Sequence, residues 1–286
     1  MLIQDVSKLS PIERWTYWIE ERDGIRVKRA NGKPKPWTDD AILGGYRFCN
    51  VRRMDDRVSL WLLDNWYKPY YDHQNMLVAA ILARFFNKPE ALVRITFILE
   101  TGSKPNLEAV KKTMRELKAK GETIFNGAYM VRGNDGVDKV SSVVDYYLKS
   151  VLDKKVEVDR SSMENTWAAL CECYGWGSFM AGQVVADLRH AMKGSWSDRL
   201  TWAPIGPGSA RGMNRIHERP IKQPLSQESF MEELLALIEI GRAKLPKWIY
   251  SRLEAQDWQN TLCEYDKYCR ALLGEGKPKQ KYPGGV

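Results

Sequence analysis

The sequence predicts a mostly α-helical protein with at most a minor β element. Three observations carry that expectation. Apolar residues recur at three- and four-residue intervals over most of the chain, helix-capping signals stand before several of these runs, and strict apolar–polar alternation is scarce. Ser10-Pro11-Ile12-Glu13 is a capping box with proline at the first helical position, and it opens a helix with Trp15, Trp18 and Ile19 on one face. Gly24 to Thr38, basic and carrying two prolines, reads as an exposed arm. Helical periodicity resumes over Met54 to Tyr67, Gln74 to Phe86 and Pro89 to Leu99. Asn106 caps a charged amphipathic helix that Gly121 ends. Thr123 to Val131 is the one β-prone stretch, and a helix follows from Val137 to Leu152. Ser161-Ser162-Met163-Glu164 is a second capping box. Gln227 to Leu245 is helical, as is Pro246 to Leu273 with a break near Asp257. The Gly-, Pro- and Lys-rich tail from Gly274 reads as frayed. The expected organisation is an N-terminal helix and basic arm (1–39), a helical domain (40–273) and a flexible tail (274–286).

Composition narrows the function classes. A hydrophobic fraction of 44% with eleven Trp excludes a disordered chain. The net charge of +8, from 44 basic and 36 acidic residues, fits a polyanionic partner, and equally an ordinary basic soluble protein. Five cysteines, Cys49, Cys171, Cys173, Cys263 and Cys269, follow no disulfide-scaffold spacing and point to a reducing compartment. His73, His190 and His217 are the only histidines; with no HExxH or paired CxxC, no metal site is expected. The acidic, Trp-rich N-terminus does not resemble a secretory leader, and no run reaches the ~18 apolar residues of a membrane span, so no membrane association is expected.

Several motifs can carry chemistry. In Tyr174-Gly175-Trp176-Gly177-Ser178, glycines bound a tight turn between two helical patterns. The unpaired amides opening the second helix can hold a DNA phosphate, although a generic helix–helix turn has the same pattern. Asp187 falls near the end of that helix, either as a catalytic carboxylate or as a surface acid. Gly206-Pro207-Gly208-Ser209 leads into Arg211-Gly212 and lacks the lysine of a P-loop. It reads as a nest of amides with Arg211 as phosphate ligand, or as an ordinary surface loop. Glu264 and Lys267 share a helix face as a functional pair or a plain ion pair, and Tyr265 and Tyr268 suit a core.

An ordered set of motifs resembles a known family. The set is Tyr46-Arg47-Phe48-Cys49-Asn50-Val51 with Arg53 and Asp56-Arg57; Arg84-Phe85-Phe86-Asn87; Phe125-Asn126-Gly127-Ala128-Tyr129; Tyr174 to Phe179 with Gln183 and Asp187-Leu188; Gly206 to Ser209 with Arg211-Gly212; and Leu262 to Tyr268. It is similar to the phage DNA base-hypermodification family, which includes the alpha-glutamyl/putrescinyl thymine pyrophosphorylases, or amino acid:DNA transferases, and the helical domain of 5-hydroxymethyluracil DNA kinases. The resemblance covers roughly residues 40 to 273 and implies a helical domain like that of the helix-hairpin-helix DNA glycosylases. No Walker A loop is present, so a free-standing transferase is expected rather than the fused kinase.

The resemblance implies double-stranded DNA with a modified thymine as substrate, an amino acid or polyamine as co-substrate, and no cofactor. It also implies coupling to a 5-hydroxymethyluracil DNA kinase in the cytoplasm of an infected bacterial host. An amine would displace phosphate or pyrophosphate from the 5-methylene of a flipped base. Asp187 is the first expectation for general base, with Glu264, Asp266 and Lys267 as further catalytic candidates. Arg47, Arg84, Gly206, Gly208, Ser209 and Arg211 are expected to hold substrate or phosphate, and the hairpin Gly175, Trp176, Gly177 and Ser178 to grip DNA. A covalent route would use the Cys263 thiol. The competing functions are a DNA glycosylase and a non-catalytic DNA-binding partner of a kinase.

Overall fold

The computed structural model describes residues 5–100, 102, 104–127, 133 and 136–282. Among them, eight α-helices run nine residues or longer: α1 Pro11–Ala30, α2 Met76–Phe86, α3 Leu107–Ala119, α4 Met163–Cys171, α5 Ser178–Ala191, α6 Pro207–Ile216, α7 Gln227–Lys244 and α8 Ala255–Leu272. No strand occurs among the described residues; Tyr46 and Lys281 form a single antiparallel bridge. The fold is mostly α, as the periodicity implies. Of the β-prone stretch 123–131, residues 123–127 are not extended into a strand and 128–131 lie outside the described residues.

Caps explain most helix starts. The Ser10 N–H donates to Glu13 Oε2 at 3.0 Å and the Glu13 N–H to Ser10 Oγ at 3.4 Å, closing the expected box. Asn106 Oδ1 accepts from the Ala109 N–H at 3.0 Å. The second expected box does not form. Ser162, one residue later, caps α4, while Asp198 accepts the N–H groups of Met163 and Glu164, each at 2.9 Å. A carboxylate from 34 residues away thus replaces the local glutamate. The arm also starts later than its composition implies. α1 continues through Gly24 to Ala30 because Ile25 is buried, which offsets the ~1 kcal/mol cost of a mid-helix glycine.

The chain divides into two compact units, one of residues 1–56 and 200–286 and the other of residues 57–199. In the first, α1, α6, α7 and α8 enclose Trp15, Trp18, Phe48, Phe230, Trp258, Tyr265 and Tyr268. Trp15 Nε1 donates to Thr261 Oγ1 at 3.1 Å, so the indole is buried with its polar atom satisfied. A Cβ on Gly241 would stand 2.6 Å from the Trp258 ring, so α7 packs here only as glycine. The expected tail is partly docked: the Arg47 N–H donates to the Gln280 carbonyl at 3.0 Å and the Tyr282 N–H to the Gly45 carbonyl at 3.1 Å.

In the second unit α2 is apolar on nearly every face and buried, with α5 packed against it and α4 against α5 as a helical hairpin. Two stretches, Leu63–Tyr67 and Ser142–Leu148, are wound as π-helix. No described helix is long and apolar enough to cross a membrane.

Candidate functional site

The glycine hairpin between α4 and α5 is held from inside its unit. Gly175 has φ +79°, and a Cβ there would lie 2.4 Å from the Tyr147 ring. Trp176 is buried, donates from Nε1 to the Tyr147 carbonyl at 3.0 Å and packs edge-on against Phe85. Gly177 is the N-cap of α5 and Ser178 its first residue. What the hairpin presents outward is Tyr174, 64% exposed, and part of Phe179.

Asp187 and Arg84 form a buried pair. Nε and Nη2 of Arg84 donate to the two oxygens of Asp187, and the Tyr67 hydroxyl donates to Oδ2 at 2.6 Å. Both side chains are only 3% exposed. Asp187 is therefore no surface acid, and its two oxygens are already occupied by three donors. Arg84 and Asp187 tie α2 to α5. The neighbouring motifs interlock as well: the Asn126 N–H donates to the Phe86 carbonyl at 2.9 Å, and Phe125 lies against Phe86. Ala128 and Tyr129 of that motif lie outside the described residues.

The second glycine loop opens α6, and its glycines make a close helix contact. A Cβ on Gly208 would lie 2.3 Å from Cys263 Sγ, and one on Gly212 2.2 Å from the Leu262 carbonyl oxygen. The Gly206 N–H donates to Ser209 Oγ at 2.9 Å, and that hydroxyl also accepts from Gln259 Nε2 at 3.0 Å. Gly206, Gly208 and Ser209 are buried, so the loop serves α6–α8 packing before any ligand.

The chemically open groups gather in the first unit, along α8. Segment 48–53 runs over this helix and is held by its polar residues. Asp257 Oδ1 accepts from the Arg53 N–H at 2.8 Å, Asn260 Nδ2 donates to the Asn50 carbonyl at 3.4 Å, and Glu264 Oε2 accepts from the Cys49 N–H at 3.0 Å. These residues recur at three- and four-residue intervals, as one helix face requires. From the opposite side buried Arg22 donates to the Phe48 carbonyl at 3.0 Å and to Asn50 Oδ1 at 2.6 Å.

On this frame Lys267 Nζ donates to Glu264 Oε2 at 2.7 Å and lies 4.7 Å from the centre of the Phe48 ring. Both donors to Glu264 fall on Oε2, leaving Oε1 without a protein donor among the described residues. Asp56 accepts the Asn50 N–H at 2.9 Å through Oδ1, and its Oδ2 is likewise open. Burial raises the Asp56 carboxyl to about 6, with Glu264 adding to the rise and Arg53 and Arg22 opposing it. A carboxyl poised there can take or give a proton near neutrality.

Asp266, fully buried, orients two arginines: Nε of Arg211 and Nε of Arg215 each donate to it at 2.9 Å. Arg215 is spent on Asp266 and Glu275, whereas Arg211 is 36% exposed and its two Nη groups have no protein partner among the described residues. Burial pushes the Cys263 thiol up to about 12, with Glu264 adding to the rise. That thiol is no ready thiolate at neutral pH.

The structure thus pairs Glu264 with Lys267 and Asp266 with Arg211, at α8 positions two residues apart, and adds Asp56 beside Asn50. It places Asp187 and Arg84 in the other unit, and Arg47 at the exposed edge beside Phe48. Asp56 stood inside a quoted motif; only burial and the contact with Asn50 single it out.

A family model described as the helical domain of 5-hmdU DNA kinase matches residues 10–277. The chain belongs to that family. It is 27% identical over 228 residues to a 5-hmdU DNA kinase of Bacillus phage SP10, an alignment covering 70% of this chain and 35% of the relative. The chain thus matches about a third of the curated relative's length. No solved structure matches it.

Proposed function

We propose that this protein acts in phage thymine hypermodification, transferring an amino acid or polyamine onto the 5-methylene of a phosphorylated or pyrophosphorylated 5-hydroxymethyluracil in DNA. The observation that carries this reading is that Asp56 and Glu264 each keep one carboxylate oxygen without a donor among the described residues, in a unit that also holds Lys267 on Glu264 and Arg211 on Asp266, in a chain of the 5-hmdU DNA kinase helical family.

The chemistry sets three demands. The base must leave the stack, at a cost of a few kcal/mol. The incoming ammonium must lose a proton to free its lone pair; Asp56 takes it, while Glu264 Oε1 orients the amine. The nitrogen then bonds the 5-methylene carbon as the carbon–oxygen bond to phosphate breaks, and the phosphate leaves with the electron pair. Lys267 and the Nη groups of Arg211 stabilise that charge. The loop Gly206 to Ser209 holds Arg211 in place by packing α6 on α8. The host-cell cytoplasm is the compartment in which such DNA is found.

A second reading is a non-catalytic DNA-binding partner of a kinase, favoured by the match to one domain of such an enzyme. The test incubates the protein with DNA bearing 5-phosphomethyluracil and a pool of amines, then digests the DNA and weighs the nucleosides. A heavier thymidine with phosphate released supports transfer. A lost base means a glycosylase, and DNA binding without turnover means the helical partner.

A further inference from the structure

We infer that the surface formed by the 28–37 arm, the 277–282 tail and Arg47 in the first unit is a grip for the phosphate backbone of double-stranded DNA. Eight cations are exposed there: Lys28, Arg29, Lys33, Lys35, Arg47, Lys277, Lys279 and Lys281. Three aromatic rings lie among them. Arg29 stacks 5.2 Å from the Trp37 ring and 5.6 Å from the Tyr282 ring, Arg47 lies 5.8 Å from Tyr282, and Lys281 lies 6.0 Å from Tyr46. Trp37 and Tyr282 themselves meet edge to face at 5.7 Å.

Arg29, Arg47, Lys33, Lys277, Lys279 and Lys281 have no carboxylate partner among the described residues. Elsewhere in the same unit Arg26, Arg52 and Arg252 share Asp55, and Arg219 is paired with Glu233. The nearby carboxylates lie toward Tyr17: Asp40 accepts from Tyr17 and Tyr268, Glu21 accepts from Thr38, and Asp39 is exposed. A ring face fixes a guanidinium without cancelling its charge and leaves its N–H edge free for a phosphate oxygen. A surface of unneutralised cations held in fixed positions is complementary to a polyphosphate backbone.

The surface is assembled by contacts far apart in sequence. The tail is pinned by the Arg47–Gln280 and Tyr282–Gly45 hydrogen bonds, and Lys28 Nζ donates to the Trp37 carbonyl at 2.6 Å. Arg47 also adjoins the catalytic candidates, since Phe48 packs under Lys267 and the Cys49 N–H binds Glu264. A duplex held here has its backbone beside the proposed reaction site. The inference shares with the proposed function the reading of DNA as partner, and unmodified DNA tests it apart from any transfer.

The experiment measures binding of the full chain to an unmodified fluorescent duplex across a series of salt concentrations. The triple variant Arg29→Ala/Arg47→Ala/Lys281→Ala is expected to lower the slope of log affinity against log salt by about three and weaken binding at least tenfold at low salt. Tyr282→Ala keeps all eight cations, so weaker binding with an unchanged slope is expected. A control triple on α3 and its C-cap, Lys112→Ala/Lys118→Ala/Lys120→Ala, is expected to bind as wild type. An unchanged slope in the first triple overturns the inference, as does an equal loss in the control. So does tighter binding to single strands, or to phosphatidylserine vesicles, than to the duplex. Absence of transfer by the wild-type chain with intact duplex binding would instead count against the catalytic reading alone.

Discussion

Glu264 accepts the backbone N–H of Cys49 at 3.0 Å, across 215 residues of sequence. One carboxylate oxygen thereby fixes segment 48–53 onto α8 and receives Lys267, while the other stays open to a ligand. Glu264→Gln keeps an acceptor for Cys49 and loses the charge that holds Lys267. The expected result is a folded protein, destabilised by about 1–3 kcal/mol, with amine transfer down at least tenfold. Urea denaturation and nucleoside mass spectrometry read the two effects separately.

Asp56 predicts a pH profile. Its carboxyl titrates at about 6, and only the ionised form can accept a proton from an ammonium. Transfer should rise with pH through about 6 and level off above it. Asp56→Asn should lose that rising limb together with most of the rate. The sign for stability is opposite. The folded state holds the proton more tightly than the unfolded chain, whose carboxyl lies near 3.8. Stability from this group is greatest below the unfolded value and declines as pH climbs to about 6. A wild-type rate profile flat from pH 5 to 8 would remove Asp56 as base.

The Arg84–Asp187 pair predicts a stability effect in the second unit. Asp187→Asn leaves the Arg84 charge without its partner in the interior, which costs about 3–5 kcal/mol. The double variant Arg84→Met/Asp187→Leu removes both charges and should recover much of that loss in thermal melting. Transfer activity should recover with it. A double variant that is stable yet inactive would return Asp187 to the mechanism.

Close packing of α6 on α8 predicts that Gly212→Ala is poorly tolerated. The added methyl would meet the Leu262 carbonyl at 2.2 Å, and forcing the helices apart costs about 1–3 kcal/mol. Arg211 would move with α6, so transfer should fall alongside the denaturation midpoint. Gly177→Ala, with nothing within 4 Å of its Cβ, should change the midpoint little.

The thiols predict a negative result. With Cys263 pushed up to about 12, Cys263→Ser should keep transfer within a few-fold of wild type at pH 7 to 8. An activity loss of a hundredfold or more would revive the covalent route.

Local chemistry made the helices legible. Ser10, Glu13 and Asn106 each satisfy amides within a few residues, so their effect can be read from spacing alone. The start of α4 was misplaced because its amides are taken by Asp198, a partner that spacing does not announce. The same division holds for the site. Glu264 and Lys267 share a face by helical period, and Tyr265 and Tyr268 are both fully buried, as apolar patterning implies. Asp187 is expected as a general base, with a surface acid as the rival, and nothing local identifies Arg84 and Tyr67 as its partners. The loop of Gly206, Gly208 and Ser209 reads as a phosphate cradle or an ordinary surface loop, and spacing does not announce the close contact of Gly208 with Cys263, because a glycine needed against ligand and one needed against another helix are spelled alike. Asp56 acquires its character from burial, which sequence does not display.

The division of the chain at residues 56 and 199 has a consequence for biosynthesis. Residues 57–199 are a continuous piece whose contacts are all available once that piece has left the ribosome. The unit holding Asp56 and Glu264 is interrupted by it, so α1 and segment 48–53 must wait through some 200 residues of elongation before α8 exists to receive them, about 10–40 s at 5–20 residues per second. Trp15 and Phe48 lack their α8 partners Trp258 and Tyr268 over that interval. A chain that stops between residues 199 and 255 carries all of residues 57–199 and lacks Glu264, Asp266 and Lys267.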